Sequence, residues 1–219
     1  MDSLISPVTI IFLIVLIYSA ILHEIAHGYV AERLGDPTAR LLGRLTLNPL
    51  SHIDLFLTII LPLMLFLSQT GIIFGGAKPV PVDPYNLKDG RKDMALVSLA
   101  GPATNIILVL LATAIFKLFH FDSFITPNGF QEVIAAFLII IIKINLSLAI
   151  FNLLPIPPLD GSKIFALILP PRLAESYLSL SSFGTLLLLL LLVFPVGGFS
   201  LMGIVSSIFT YSLSLLGLS

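Results

Sequence analysis

The sequence predicts an all-α polytopic membrane protein, with about five transmembrane helices, one re-entrant apolar segment and a short extended edge. Three observations carry that expectation. Of 219 residues, 57% are hydrophobic and only 11% charged, against about 25% charged in a soluble domain. The mean hydropathy is +1.09. The apolar residues gather in long runs whose lengths suit a hydrocarbon core about 30 Å thick. Proline- and glycine-rich stretches separate the runs.

The first run begins at Ser6-Pro7, a cap residue followed by proline in the first turn. Val8 to Leu22 carries no charge. It has no basic leader and no small-residue cleavage site, so it reads as a span and not a cleavable signal. Residues 31–53 form a polar connection in which Arg44-Leu45-Thr46-Leu47 has the pattern of a short strand. Leu55 to Phe74 is apolar but short, and Pro62, Ser68, Gln69 and Thr70 interrupt it, so it either crosses the membrane or dips in and returns, the second course being the one that charge favours. In Gly75-Gly76-Ala77-Lys78-Pro79-Val80-Pro81-Val82-Asp83-Pro84 the prolines forbid a helix and a central strand, which leaves an extended edge. Further helices are expected over Met94–Phe119 and Gln131–Leu154. Pro155 to Gly161 cannot be regular helix. A short amphipathic piece runs to Leu169, and a helical hairpin occupies Tyr177–Phe194 and Phe199–Leu218. Residues 1–219 read as one membrane domain, with a core over 8–170, a hairpin over 177–218, no internal repeat and no appended soluble domain.

Charge sets the topology. If 55–74 dips in and returns, all of the eleven Lys and Arg except Lys117 and Lys143 lie on one face. By the positive-inside rule that face is cytoplasmic. The N-terminus is then outside, in a cell membrane. Non-helical backbone at membrane depth is tolerated where protein or a water cavity covers it.

The chemistry sits in His23-Glu24-Ile25-Ala26-His27. Two histidines four apart share one helix face, so their rings can converge on one Zn²⁺. From Pro7 to His23 is about 24 Å of helix, which puts the pair deep in the membrane. Glu24 is placed to take a proton from water activated at that metal. The chain has no cysteine, so the third ligand is His, Asp or Glu. Asp160 is the best candidate: it follows a proline-broken segment and returns to the depth of His23 and His27. An ionisable residue there is a functional candidate, although Asp160 alone would also serve as a helix cap. Asn105 and Asn152 are polar groups at membrane depth, suited either to helix packing or to an oxyanion. Packing is the leading role for Asn105, and the two roles stand equal for Asn152. Asn145 reads as packing, His52 and Asp54 as turn or cap residues ahead of metal ligands, and His120 as an interfacial residue. Lys143 has no evident role.

Together, His23-Glu24-x-x-His27, Gly101-Pro102-x-x-Asn105 and Asn152-x-x-Pro155-x-Pro157-x-x-Asp160-Gly161 resemble the site-2 protease family of intramembrane zinc metalloproteases, peptidase family M50. Residues 75–82 are similar to the compact prokaryotic members. The resemblance covers about residues 8–170. It implies one zinc per chain held by His23, His27 and Asp160, with Glu24 as general base and Asn152 aiding the transition state. The substrate would be a transmembrane segment of another protein, cut within or beside the lipid bilayer. No PDZ or CBS domain is recognisable in the chain.

Other classes are a membrane metal transporter, which has no need of Glu24, and a non-catalytic scaffold, which has no need of the full set. A prenyl-protein protease would need a Glu ligand, and neither Glu132 nor Glu175 lies in a suitable apolar helix. Nothing in the chain points to a nucleic-acid partner.

Overall fold

Helix α1 (Pro7–Leu34) is opened by a proline, whose missing N–H is not needed in a first turn. The computed structural model describes residues 7–54, 60, 77–119, 129–195, 198 and 200–218. After α1 come a four-residue helix α2 (Thr38–Leu41) and 3₁₀ turns at Pro49–His52 and Pro84–Asn86. The remaining helices are α3 (Gly90–Leu118), α4 (Gly129–Asn152), α5 (Asp160–Phe165), α6 (Pro171–Ser179), α7 (Ser181–Val193) and α8 (Leu201–Leu215). There is no strand among the described residues.

Among the described residues three helices are long and apolar enough to cross a membrane: Val8–Leu34, Gly90–Leu118 and Gly129–Asn152. Their outer faces expose Phe12, Leu13, Ile107, Leu110 and Val133, as suits contact with lipid. Helix α3 lies at the centre, packed on α1, α4 and α5. His23 meets Asn105 and His27 meets Val97, so numbering falls along α3 as it rises along α1, and the two run antiparallel. Val109, Ala112 and Phe116 of α3 pack on Leu138, Ile142 and Leu146 of α4, with Phe209 and Leu213 of α8 over them. A second cluster closes α7 over the 154–159 turn through Leu154, Leu159, Leu188 and Leu192.

Several expectations change. The apolar run at 177–194 is not one helix: α6 and α7 meet at a 65° bend around Leu180. Tyr177 Oη donates to the Pro155 carbonyl at 2.8 Å, which ties α6 to the turn after α4. α7 and α8 have 13 and 15 residues, shorter than the roughly 20 of a full crossing. Arg44–Leu47 is a turn and not a strand, because Arg44 N–H bonds back to the Ala39 carbonyl at 2.9 Å. Helix α3 starts four residues early, at Gly90. Its first turn is held by Asp93, whose carboxylate accepts from the Asp89 N–H at 2.7 Å. Arg91 in that turn donates to the carbonyls of Ala166 and Leu169, anchoring the chain beyond α5. The re-entrant segment expected at 55–74 lies outside the described residues apart from Ile60, and so does His120.

Residues 77–82 are extended, as three nearby prolines require, and they are tethered on both sides. Lys78 N–H donates to the His52 carbonyl at 2.8 Å. Arg44 Nη2 donates to the Lys78 and Pro79 carbonyls at 2.9 and 3.3 Å. Beyond the segment, Asp36 accepts from Asp83 N–H at 2.8 Å and Asn86 Nδ2 at 2.9 Å.

Candidate metal centre

His23 and His27, one turn apart on α1, face the same way with ring centroids 4.7 Å apart. Asp160 reaches them from 137 residues downstream. Helix α4 ends at Asn152, the 153–159 turn reverses the chain, and Asp160 opens α5. Gly161 permits that reversal: a side-chain carbon there would lie 2.2 Å from the Leu153 carbonyl oxygen. Asp160 Oδ2 then stands 3.2 Å from Nε2 of His23 and 3.2 Å from Nε2 of His27. The three residues are only 5%, 8% and 8% exposed, and no other described group of His, Asp and Glu gathers in this way.

The histidine tautomers follow from their partners. His27 Nδ1 lies 2.6 Å from the Val97 carbonyl oxygen, which can only accept, so Nδ1 carries the proton. For His23 the deduction runs through two asparagines. Asn145 Nδ2 lies 2.9 Å from the Ile141 carbonyl and 2.9 Å from Ser19 Oγ. The carbonyl again only accepts, which fixes that amide and turns Asn145 Oδ1 to Asn105 Nδ2 at 2.8 Å. Asn105 Oδ1 is thereby presented to His23 Nδ1 at 2.6 Å, and His23 Nδ1 must donate. Asn105 and Asn145 are both fully buried.

With each Nδ1 proton committed elsewhere, both Nε2 atoms are turned to the same Asp160 oxygen. Three such atoms draw together around a cation, either a proton on Nε2 or a metal ion. Helix α3 leaves room for one, since a side-chain carbon at Gly101 would fall 2.5 Å from each Nε2. Two imidazole nitrogens and one carboxylate oxygen with space beside them fit Zn²⁺ bound by three protein ligands with an open position. The second oxygen of Asp160 faces Lys163 Nζ at 3.6 Å.

Glu24 is half-buried beside the histidines. Its Oε2 accepts from the Val80 N–H of the extended segment at 2.7 Å. Oε1 bonds to no described residue. Asn152 stands apart: its amide donates to the Leu148 carbonyl one turn back at 3.0 Å. His52 Nε2 donates to the Thr46 carbonyl at 2.9 Å, a turn role and not a metal one. The parts that sequence reasoning missed are Asn145, Ser19, Gly101 and the Val97 carbonyl. Asn145 and Asn105 had a visible signal, amides in apolar helices, but their pairing spans 40 residues. Nothing local marks Val97.

The family model for peptidase family M50 matches residues 11–133 and 122–192. Over 188 residues the chain is 40% identical to YwhC of Bacillus subtilis, named as a putative zinc metalloprotease, covering 86% of this chain and 82% of that protein. It is 33% identical over 183 residues to Rip2 of Mycolicibacterium smegmatis, which carries the same description; the match covers 81% of this chain but only 64% of Rip2. A 95-residue stretch is 34% identical to the similarly described MJ0611 of Methanocaldococcus jannaschii. No solved structure matches the chain.

Proposed function

The chain belongs to peptidase family M50 and is a metalloprotease, and from that premise we propose that it hydrolyses peptide bonds within or next to transmembrane segments of other proteins. The observation that carries the proposal is the meeting of the His23 and His27 Nε2 atoms, on a long apolar helix, with the Asp160 carboxylate. His23, His27 and Asp160 would hold one zinc, which supplies polarisation of the scissile carbonyl and a lowered pKa for the attacking water.

The remaining work belongs to the chain. Glu24 accepts the water's proton, with Oε1 open for it while Val80 N–H steadies Oε2, and hands it to the leaving amide nitrogen. Asn105 and Asn145 keep His23 in the tautomer that leaves Nε2 bare. Asn152 retains a second amide N–H, and its part in stabilising the oxyanion rests on the family resemblance. A substrate helix hides its amides, so it must unwind before attack. The extended 77–82 segment lies beside Glu24 and offers an edge on which an unwound strand could pair. In this reading the N-terminus is outside and the centre lies toward the cytoplasmic side, since Arg33, Arg40, Arg44 and Lys78 follow α1 or line its end.

The test is zinc content and cleavage of a transmembrane substrate by wild type, Glu24→Gln and Asp160→Ala. One zinc and cleavage are expected for wild type, zinc without cleavage for Glu24→Gln, and neither for Asp160→Ala. Cleavage by Glu24→Gln at the wild-type rate would remove the general-base assignment. A wild type without zinc would overturn the whole reading.

A further inference from the structure

We propose that the chain carries a binding site for an anionic phospholipid on the side of the bundle where α3, α4 and the end of α8 meet, built around Lys143 and Lys117. Lys143 is a charge inside the apolar helix α4, about 21 Å along it from Gly129. An ionisable residue at that depth asks for a partner, and neither Lys143 nor Lys117 pairs with an acidic group among the described residues.

A cavity of about 280 Å³ adjoins Lys143. It is walled by Phe116 of α3, Ile139 and Ile142 of α4, and Leu213 and Gly217 at the end of α8, with no acidic side chain among the described residues of its lining. Side chains on a helix lean toward its N-terminus, so the Lys143 stem rises along α4 toward the level of Ile139 and Phe116. Lys117 stands at that level, one residue before the end of α3. Its Nζ lies 2.8 Å from where a Gly217 side-chain carbon would stand, at the cavity wall. Lys143 thus lines one apolar cavity, and the Lys117 ammonium stands beside its Gly217 wall near the end of α3.

The chemistry that satisfies this arrangement is a phosphate diester on an apolar body. The cavity is at the small end for ligand sites and suits a head group with the first carbons of its chains. The chains can continue along the exposed face of α8 at Ile208, Ile204 and Met202. A head group that adds its own cation, such as choline, would be repelled by the two lysines, so the preference is for net negative lipids.

Native mass spectrometry of the full detergent-solubilised chain tests this, with dioleoyl phosphatidylglycerol and dioleoyl phosphatidylcholine as probes. Wild type should retain one phosphatidylglycerol with a Kd lower than that for phosphatidylcholine by about tenfold or more. Lys117→Gln/Lys143→Gln should lose the preference, and Lys88→Gln/Lys92→Gln, with the same loss of charge elsewhere, should keep it. Inorganic phosphate should not compete. Equal retention of the two lipids by wild type overturns the proposal without reference to any variant. So does a preference that survives Lys117→Gln/Lys143→Gln or is lost equally in Lys88→Gln/Lys92→Gln, and so does displacement by phosphate alone. None of these readings involves zinc or cleavage.

Discussion

The Val80 N–H donates to the Glu24 carboxylate at 2.7 Å, so the extended segment and the residue proposed as general base are joined by one bond. Gln offers the same acceptor oxygen without the basicity. Glu24→Gln should therefore leave residues 77–82 in place and reduce cleavage by about 10²- to 10⁴-fold. Glu24→Leu should lose cleavage and also free the segment. Amide exchange at Val80 reads the difference: slow in wild type and Glu24→Gln, fast in Glu24→Leu. Fast exchange in both variants would show that the carboxylate charge, and not the acceptor geometry, holds the segment.

Gly101 should not tolerate even alanine. A carbon there lies 2.5 Å from both histidine Nε2 atoms, in the space left for a metal. Alanine is otherwise the better helix former by about 1 kcal/mol. Gly101→Ala should keep its helicity by circular dichroism and lose at least about 100-fold in zinc affinity, at or beyond the upper end for outer-shell changes. Unchanged zinc content would mean that the metal lies elsewhere.

Asn145 touches no metal-binding group, yet it fixes the amide that holds His23. Asn145→Leu should weaken zinc binding by about 10- to 100-fold. Because Asn145 acts through Asn105, the double variant with Asn105→Ala should lose scarcely more than Asn105→Ala alone. Additive losses would show two independent roles. In wild type, ¹⁵N histidine spectra should report a proton on Nδ1 of His23.

Asp36 gives a pH dependence outside the membrane spans. Burial opposes its charge, but bonds from Thr38, Asn86 and Asp83 outweigh it and lower its pKa. A folded-state pKa below the unfolded value of about 3.9 stabilises the protein fully above that value. The contribution disappears as pH falls through the folded pKa. Thermal unfolding of wild type should thus lose more between pH 6 and pH 3 than that of Asp36→Asn. Asp36→Ala at neutral pH should cost about 1 kcal/mol, since it strands part-buried donors. Equal acid sensitivity in wild type and Asp36→Asn would place the titrating group elsewhere.

What could be read in the chain was local. His23, Glu24 and His27 share one turn, and helical spacing alone brings the two rings together. Asp160 could be inferred because no cysteine competes and prolines 155, 157 and 158 force the chain to turn before it. The 177–194 run misled because nothing in a leucine-rich stretch marks a bend; the tether from Tyr177 to Pro155 is a tertiary contact. The strand pattern at 44–47 misled for a related reason. Strand propensity needs a partner, and Arg44 instead turns back on Ala39 while its side chain caps the extended segment. Asn105 was legible as a buried amide, but its partner on α4 was not.

The distance along the chain between His23 and Asp160 also has a meaning in time. Ribosomes add about 5–20 residues per second, so on the order of ten seconds separates synthesis of the first histidine from that of the carboxylate 137 residues later. Throughout that interval the nascent chain holds His23, Glu24 and His27 but lacks Asp160. If the three side chains hold the metal as proposed, a metalloprotease made in this order is inert during its own synthesis and becomes competent only when most of its helices are in place.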